Sequence, residues 1–230
     1  MISLNIETST DVCSAALTED GNVLAAHFSK DGNHARQLPV FIDDILAFAR
    51  REKLMPEAVA ISEGPGSYTG LRIGTATAKG LCYGLGIPLI ALPTLRVLCE
   101  AVPAEAGTLR CPMIDARRME VYCALFADNG DILAGTEAKV IDSTSFADRL
   151  ARGPVVFFGN GAAKCKTLIT SENARFIDDI RPDAANMGKL ATEAFAKGRF
   201  ADIAYFDPFY LKEFQATVSH KAQDVLNRPR

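Results

Sequence analysis

Apolar and polar side chains alternate with period two over residues 2–7, Ile-Ser-Leu-Asn-Ile-Glu, which is the pattern of a strand. A polar bend at Thr8-Ser9-Thr10 leads into a second strand over residues 12–17. Asp20-Gly21 is a hairpin turn, and residues 22–28 make a third strand. The period then changes. Leu38, Phe41, Ile42, Ile45 and Ala49 recur three and four residues apart and predict a helix over 34–53, with Pro39 tolerable only near its start. Leu46 and Phe48 widen its apolar stripe beyond what packing on one sheet face needs. Residues 58–62 and 87–92 read as a fourth and fifth strand, with a glycine-rich turn and a second helix between them.

The second half starts over. Residues 111–115 and 120–127 predict strands around a turn at 116–119, and Asn129-Gly130 is another hairpin turn before shorter strands near Ile132 and Lys139. A serine within 143–145 can cap a short helix ending near Gly153. Residues 155–158 form a buried strand leading through Gly159-Asn-Gly161 into a helix. Asp183 caps a longer helix whose Met187, Leu190, Ala191, Ala194 and Phe195 share a face, with Gly198 as its stop. This order implies an α/β chain of two related lobes, residues 1–108 and a reduced 109–207, with a cleft between them. Residues 208–230 read as a short ordered segment and a polar tail, assigned to neither lobe.

The turn between the fourth strand and the second helix, Glu63-Gly-Pro-Gly-Ser-Tyr-Thr-Gly-Leu-Arg-Ile-Gly74, is the most distinctive stretch. The helix after it carries Gly74, Gly80 and Gly84, and each interior glycine costs roughly 0.5–1 kcal/mol relative to alanine. Gly70, Gly74, Thr77, Leu81 and Gly84 fall on one face, a thin stripe suited to a second backbone lying close.

Composition narrows the function. With 48% apolar and 23% charged residues the chain reads as an ordinary globular protein, and a net charge of −3 argues against gripping nucleic acid unaided. The first residues lack the basic and apolar regions of a secretory signal, and the apolar run 80–92 is too short and too broken to span a bilayer, so a cytoplasmic location is expected. Six cysteines show no Cys-x-x-Cys pair and no histidine at zinc spacing, and read as small buried hydrophobes.

Ile6-Glu-Thr-Ser-Thr10, the glycine turn, Ala78-Lys-Gly-Leu81, Ile87-Pro88, Ile114-Asp-Ala-Arg117, Glu120-Val-Tyr122 and Pro208-Phe-Tyr-Leu211 resemble the TsaB (YeaZ) family, in order and through most of the chain. The resemblance implies an actin-like (ASKHA, ribonuclease H-like) fold and a role in forming N6-threonylcarbamoyladenosine at position 37 of tRNAs reading codons that begin with A. It implies that the reaction belongs to TsaD, a larger paralogue carrying the catalytic metal, with the ATPase TsaE as a further partner and an adenylate from a separate enzyme as donor. ATP and metal are then expected in the partner subunits and no cofactor in this one.

The residues agree with an absence of chemistry of their own. Where the paralogues place a His-x-x-x-His pair, this chain has positions near Thr94 and Leu98, and no histidine occurs between 35 and 219. Ser67 is one place off the Gly-x-Ser-x-Gly elbow of hydrolases. Phosphate-binding hairpins of actin-like ATPases would correspond to the turns at Thr8-Ser9 and Asp115, with Gly159 and Gly161 facing the adenosine. The second turn lacks the glycine that close backbone approach needs, so these five residues are candidates for a vestigial nucleotide cleft. Partner binding is expected instead from the two helices, through His34, Leu38, Phe41, Ile42 and Ile45 on the first and Gly70, Arg72, Ile73, Gly74, Thr77, Leu81 and Gly84 on the second. TsaD is the expected occupant, or a second copy of the chain when TsaD is absent. The competing readings are a stand-alone ASKHA-fold ATP-dependent kinase and a glycoprotease-like peptidase.

Overall fold

The computed structural model describes residues 1–212. Ten strands form two five-stranded sheets of identical plan. In the first, β1 (Ile2–Glu7), β2 (Cys13–Glu19) and β3 (Asn22–Ser29) run antiparallel, and β4 (Ala58–Gly64) and β5 (Leu89–Pro93) add in parallel beyond β1, giving the order β3-β2-β1-β4-β5. In the second, β6 (Leu109–Asp115), β7 (Glu120–Phe126) and β8 (Ile132–Val140) are antiparallel, while β9 (Val155–Phe158) and β10 (Ala174–Ile177) add in parallel beyond β6. The lobes are thus one pattern used twice.

Their helices are unequal. The first lobe has α1 (His34–Glu52) and α2 (Tyr68–Leu85); the position of α1 is taken in the second by α4 (Ala147–Leu150), a single turn. The helix expected after Gly161 is a 3-10 turn at Ala163–Cys165, and the one capped by Asp183 begins as a 3-10 turn at Ala184–Asn186 before α5 (Gly188–Ala196). The two shorter strands expected near Ile132 and Lys139 are one, β8. Pro39 lies deeper in α1 than its ring favours, but both it and Ala35, whose carbonyl it leaves without a donor, are exposed to water.

Each sheet is buried on both faces, and the two lobes exchange covering. One face of the first sheet packs Leu4, Ile6, Leu17, Val59 and Ile61 against α1 and α2. Its other face is closed by Ala184, Met187, Leu190, Ala191 and Ala194 from the far end of the chain. Conversely α3 (Thr94–Glu100) follows the first sheet in sequence but packs Leu95, Leu98 and Cys99 on Ile114, Phe126 and Phe158 of the second. The strands of the two sheets thus lie on either side of residue 108, while each sheet is partly covered by a helix from the other half.

Candidate functional site

The glycine turn closes over the first hairpin bend. A β-carbon on Gly66 would lie 2.3 Å from the Ser9 carbonyl oxygen, and one on Gly70 2.0 Å from that of Thr8, so only glycine fits at either place. The Ser67 N–H donates to Ser9 O at 2.6 Å, and the Thr8 hydroxyl donates to Gly70 O at 2.8 Å. One turn on, a β-carbon on Gly74 would lie 2.3 Å from Thr8 Oγ1. The close approach expected of the glycine stripe is real at Gly70 and Gly74, but the backbone received there is the chain's own bend. Neither residue is open to a partner.

The same packing buries the bend. Thr8 and Ser9 are 1% and 0% exposed. Two N–H groups of the bend turn to nearby side chains, Ser9 N to Glu7 Oε1 at 2.6 Å and Val12 N to Thr10 Oγ1 at 3.3 Å. Glu7 is wholly buried and also accepts from the Ser62 hydroxyl. Burial pushes its carboxyl above the usual carboxylate range, and the hydrogen bonds from Ser62 and Ser9 act against that rise.

The second candidate cluster comes together at the end of β6. A β-carbon on Gly159 would lie 2.2 Å from Met113 O, and one on Gly161 2.8 Å from the Ile114 carbonyl carbon, so both glycines serve strand contact. The Asp115 carboxylate accepts from Arg117 N at 2.8 Å and from Lys164 Nζ at 2.5 Å. The same ammonium donates to Arg118 O and Glu120 O, both at 2.7 Å, and so fastens a turn in which Arg117 and Arg118 take left-handed backbone angles without glycine. Thr94, at the first of the two expected histidine positions, uses its hydroxyl to accept from Gly64 N at 3.1 Å, and Leu98 lies in the core. Among the described residues no group of three or more His, Cys, Asp or Glu side chains is arranged so that it could hold a metal ion. The cysteines are free and buried, with the thiols of Cys13, Cys82 and Cys99 each pushed up to about 11 by burial. Ser67 is the N-cap of α2, its Oγ accepting from Gly70 N.

The partner residues expected on α1 require correction. Leu38, Ile42 and Ile45 are buried in the chain's own core, and His34 is fixed beneath the helix start by Val12 O at 2.9 Å from Nε2. The breadth of the stripe reflects a helix lying against two curved strands, β2 and β3, and against α2. Phe41 stays half-buried, stacked on His27 with ring centres 5.1 Å apart.

On α2 the surroundings divide three ways. Leu71, Gly74, Ala78 and Cys82 face the sheet. Ile73, Thr77 and Leu81 are half-buried on another flank with Gly80 and Gly84, and a β-carbon on either of these last two would meet nothing within 4 Å. The third flank faces residues 207–212, which the sequence marked only as a short ordered segment. There Phe209 N donates to Glu63 O at 2.7 Å, the Tyr210 ring packs on Tyr68, Arg72 lies 4.1 Å from the Tyr68 ring centre, and Lys212 pairs with Glu120 of the second sheet.

The family model described as TsaD, tRNA N6-adenosine threonylcarbamoyltransferase, matches residues 29–218. The tRNA threonylcarbamoyladenosine biosynthesis protein TsaB of Escherichia coli K12 is 32% identical over 218 residues, 91% of this chain and 94% of that one. Its namesake in Bacillus subtilis is 31% identical over 213 residues, 89% and 86% of the two chains. A Pseudomonas aeruginosa crystal structure, described as an uncharacterized protein with similarity to peptidase YeaZ, superposes with a TM-score of 0.78 at 25% identity, covering 92% of this chain and 99% of that one. The duplicated sheets are those of the actin-like (ASKHA, ribonuclease H-like) fold. By sequence and by architecture alike, the chain belongs to the TsaB (YeaZ) family, within the wider TsaD-like family.

Proposed function

We propose that this chain is a non-catalytic partner subunit of the bacterial assembly that forms N6-threonylcarbamoyladenosine at position 37 of tRNAs reading A-starting codons. The observation that carries the reading is the packed bend: the Gly66–Gly70 backbone lies directly against Thr8 and Ser9, which are buried, and Ser9 N is already bonded to Glu7. A kinase needs that bend open. A serine peptidase needs a base at Ser67, whereas the two described histidines are engaged elsewhere, His27 on Phe41 and His34 on Val12 O.

The chain acts by binding TsaD. The surface is the open flank of α2, Ile73, Thr77, Gly80, Leu81 and Gly84. Two bare glycines four residues apart let a partner helix approach the α2 backbone, and an equivalent helix pair on TsaD would complete a four-helix contact of about 1,200–2,000 Å². A second copy takes the same place when TsaD is absent. TsaE joins the assembly, ATP and the metal are bound by the partner subunits, and tRNA is reached through the complex, in keeping with the net charge of −3. Such an assembly works in the cytoplasm; no helix among the described residues is long and apolar enough to cross a membrane.

The test is reconstitution with purified TsaD, TsaE, donor adenylate and tRNA, with and without this chain. Modification should require the chain, and the chain alone should modify nothing. Transfer by the isolated chain, or an unchanged rate on its omission, would overturn the assignment.

A further inference from the structure

The flank of α2 turned toward residues 207–210 carries Arg72, Thr75 and Lys79 at i, i+3 and i+7, which with Asp207, Pro208 and Tyr210 enclose a groove of about 480 Å³. Two side chains there have no polar partner among the described residues, and a third is already held in place. Thr75 is 6% exposed, yet its hydroxyl has no hydrogen-bond partner. A helical threonine usually donates to the carbonyl four residues back, as Thr77 does to Ile73 O and Thr192 to Gly188 O; Thr75 does not. Lys79 is half-buried and makes no ion pair or hydrogen bond among the described residues. Arg72 makes no ion pair among the described residues either, and its guanidinium lies 4.1 Å from the Tyr68 ring centre, so part of its freedom is already lost before an anion binds.

We propose that this groove is a binding site for inorganic phosphate, with the Thr75 hydroxyl, the Arg72 guanidinium and the Lys79 ammonium as donors. A tetrahedral oxyanion offers enough acceptor oxygens for all three and the charge to balance two cations. Asp207 on the same wall selects among oxyanions. Hydrogenphosphate keeps one proton at neutral pH and can donate it to a carboxylate, whereas sulfate has none and would meet Asp207 with repulsion. The site lies on a different flank of α2 from the TsaD surface and is independent of that proposal.

The experiment is calorimetric titration of the full chain at pH 7 with sodium phosphate, sulfate and chloride at equal ionic strength. Phosphate should bind at least tenfold more tightly than sulfate, and chloride should give no saturable heat. Thr75→Val, which removes a hydroxyl that has no partner to lose, should keep the thermal unfolding of the parent and weaken phosphate at least fivefold; Lys79→Gln should do the same. Asp207→Asn should bring phosphate and sulfate to parity, and Lys189→Gln on α5 should change nothing. Equal binding of phosphate and sulfate by the parent chain, no saturable phosphate heat, or unweakened binding by Thr75→Val would each overturn the assignment.

Discussion

Replacing Gly80 by alanine sets the stability of the free chain against its association. Gly80 is interior to α2, is exposed, and has no positive φ, and the added β-carbon meets nothing within 4 Å. The isolated chain therefore gains only the helix-propensity difference, roughly 0.5–1 kcal/mol. In a protein of this size that raises Tm by roughly 1–4 °C. In a contact where a TsaD helix rests on the bare backbone, the same methyl must push that helix outward. Overpacking of this kind costs about 1–3 kcal/mol, a loss of roughly five- to hundredfold in affinity. Thermal melts at a concentration low enough to suppress self-association give the first quantity, and surface plasmon resonance against immobilised TsaD gives the second. A lowered Tm would mean that something in the fold covers Gly80. An unaltered affinity would remove the helix from the interface.

Gly70→Ala should behave oppositely, since its β-carbon falls 2.0 Å from Thr8 O and the Thr8–Gly70 hydrogen bond must break; a loss of about 2–4 kcal/mol in unfolding free energy is expected from urea denaturation, and an unchanged midpoint contradicts the filled bend. Ile45→Ala, at 1% exposure in the core, should destabilise by about 2–5 kcal/mol while the folded fraction keeps its affinity for TsaD; a selective loss of binding would restore Ile45 to the interface. Glu7→Gln tests the buried carboxyl. Its folded value lies above the ordinary 4.5, so the native state holds the proton more tightly than the unfolded one. That stabilisation is complete below the unfolded value and is lost as pH rises through the folded one. Stability of the parent relative to Glu7→Gln should therefore fall as pH is raised above about 4; parallel curves would contradict a raised carboxyl.

The strands and long helices were legible because their signals are local: period two over residues 2–7, three- and four-residue spacing in 34–53, glycine-aspartate or glycine-asparagine at hairpins. What covers each face was not. Ser3 and Asn5 alternate with Leu4 and Ile6 as if facing water, yet both are fully buried, because α5 returns over them and they bond to Thr18. The same blindness put Leu38, Ile42, Ile45, Gly70 and Gly74 on a partner surface, although the chain's own fold buries them. Apolar spacing says that a helix face is buried, without saying whether the chain itself or a partner buries it. Glycine spacing correctly announced a close backbone at Gly70 and Gly74, but the backbone was a hairpin bend some sixty residues earlier. The partial polarity of α2, Arg72, Thr75 and Lys79 on one flank, was readable as spacing; only the position of residues 207–210 turns that flank into a groove.

The exchange of helices between sheets has a consequence during synthesis. Strands β1 to β5 leave the ribosome long before residues 184–194 do, and until then Ala16, Ala58, Ala60 and Ile90 have no apolar roof from α5. A nascent chain can pair these strands and lay α1 and α2 on one side, but the native sandwich waits for residues 184–194. Ribosome-stalled fragments ending before residue 184 should stay open to protease where the finished protein resists it, and a premature stop there would yield no usable half.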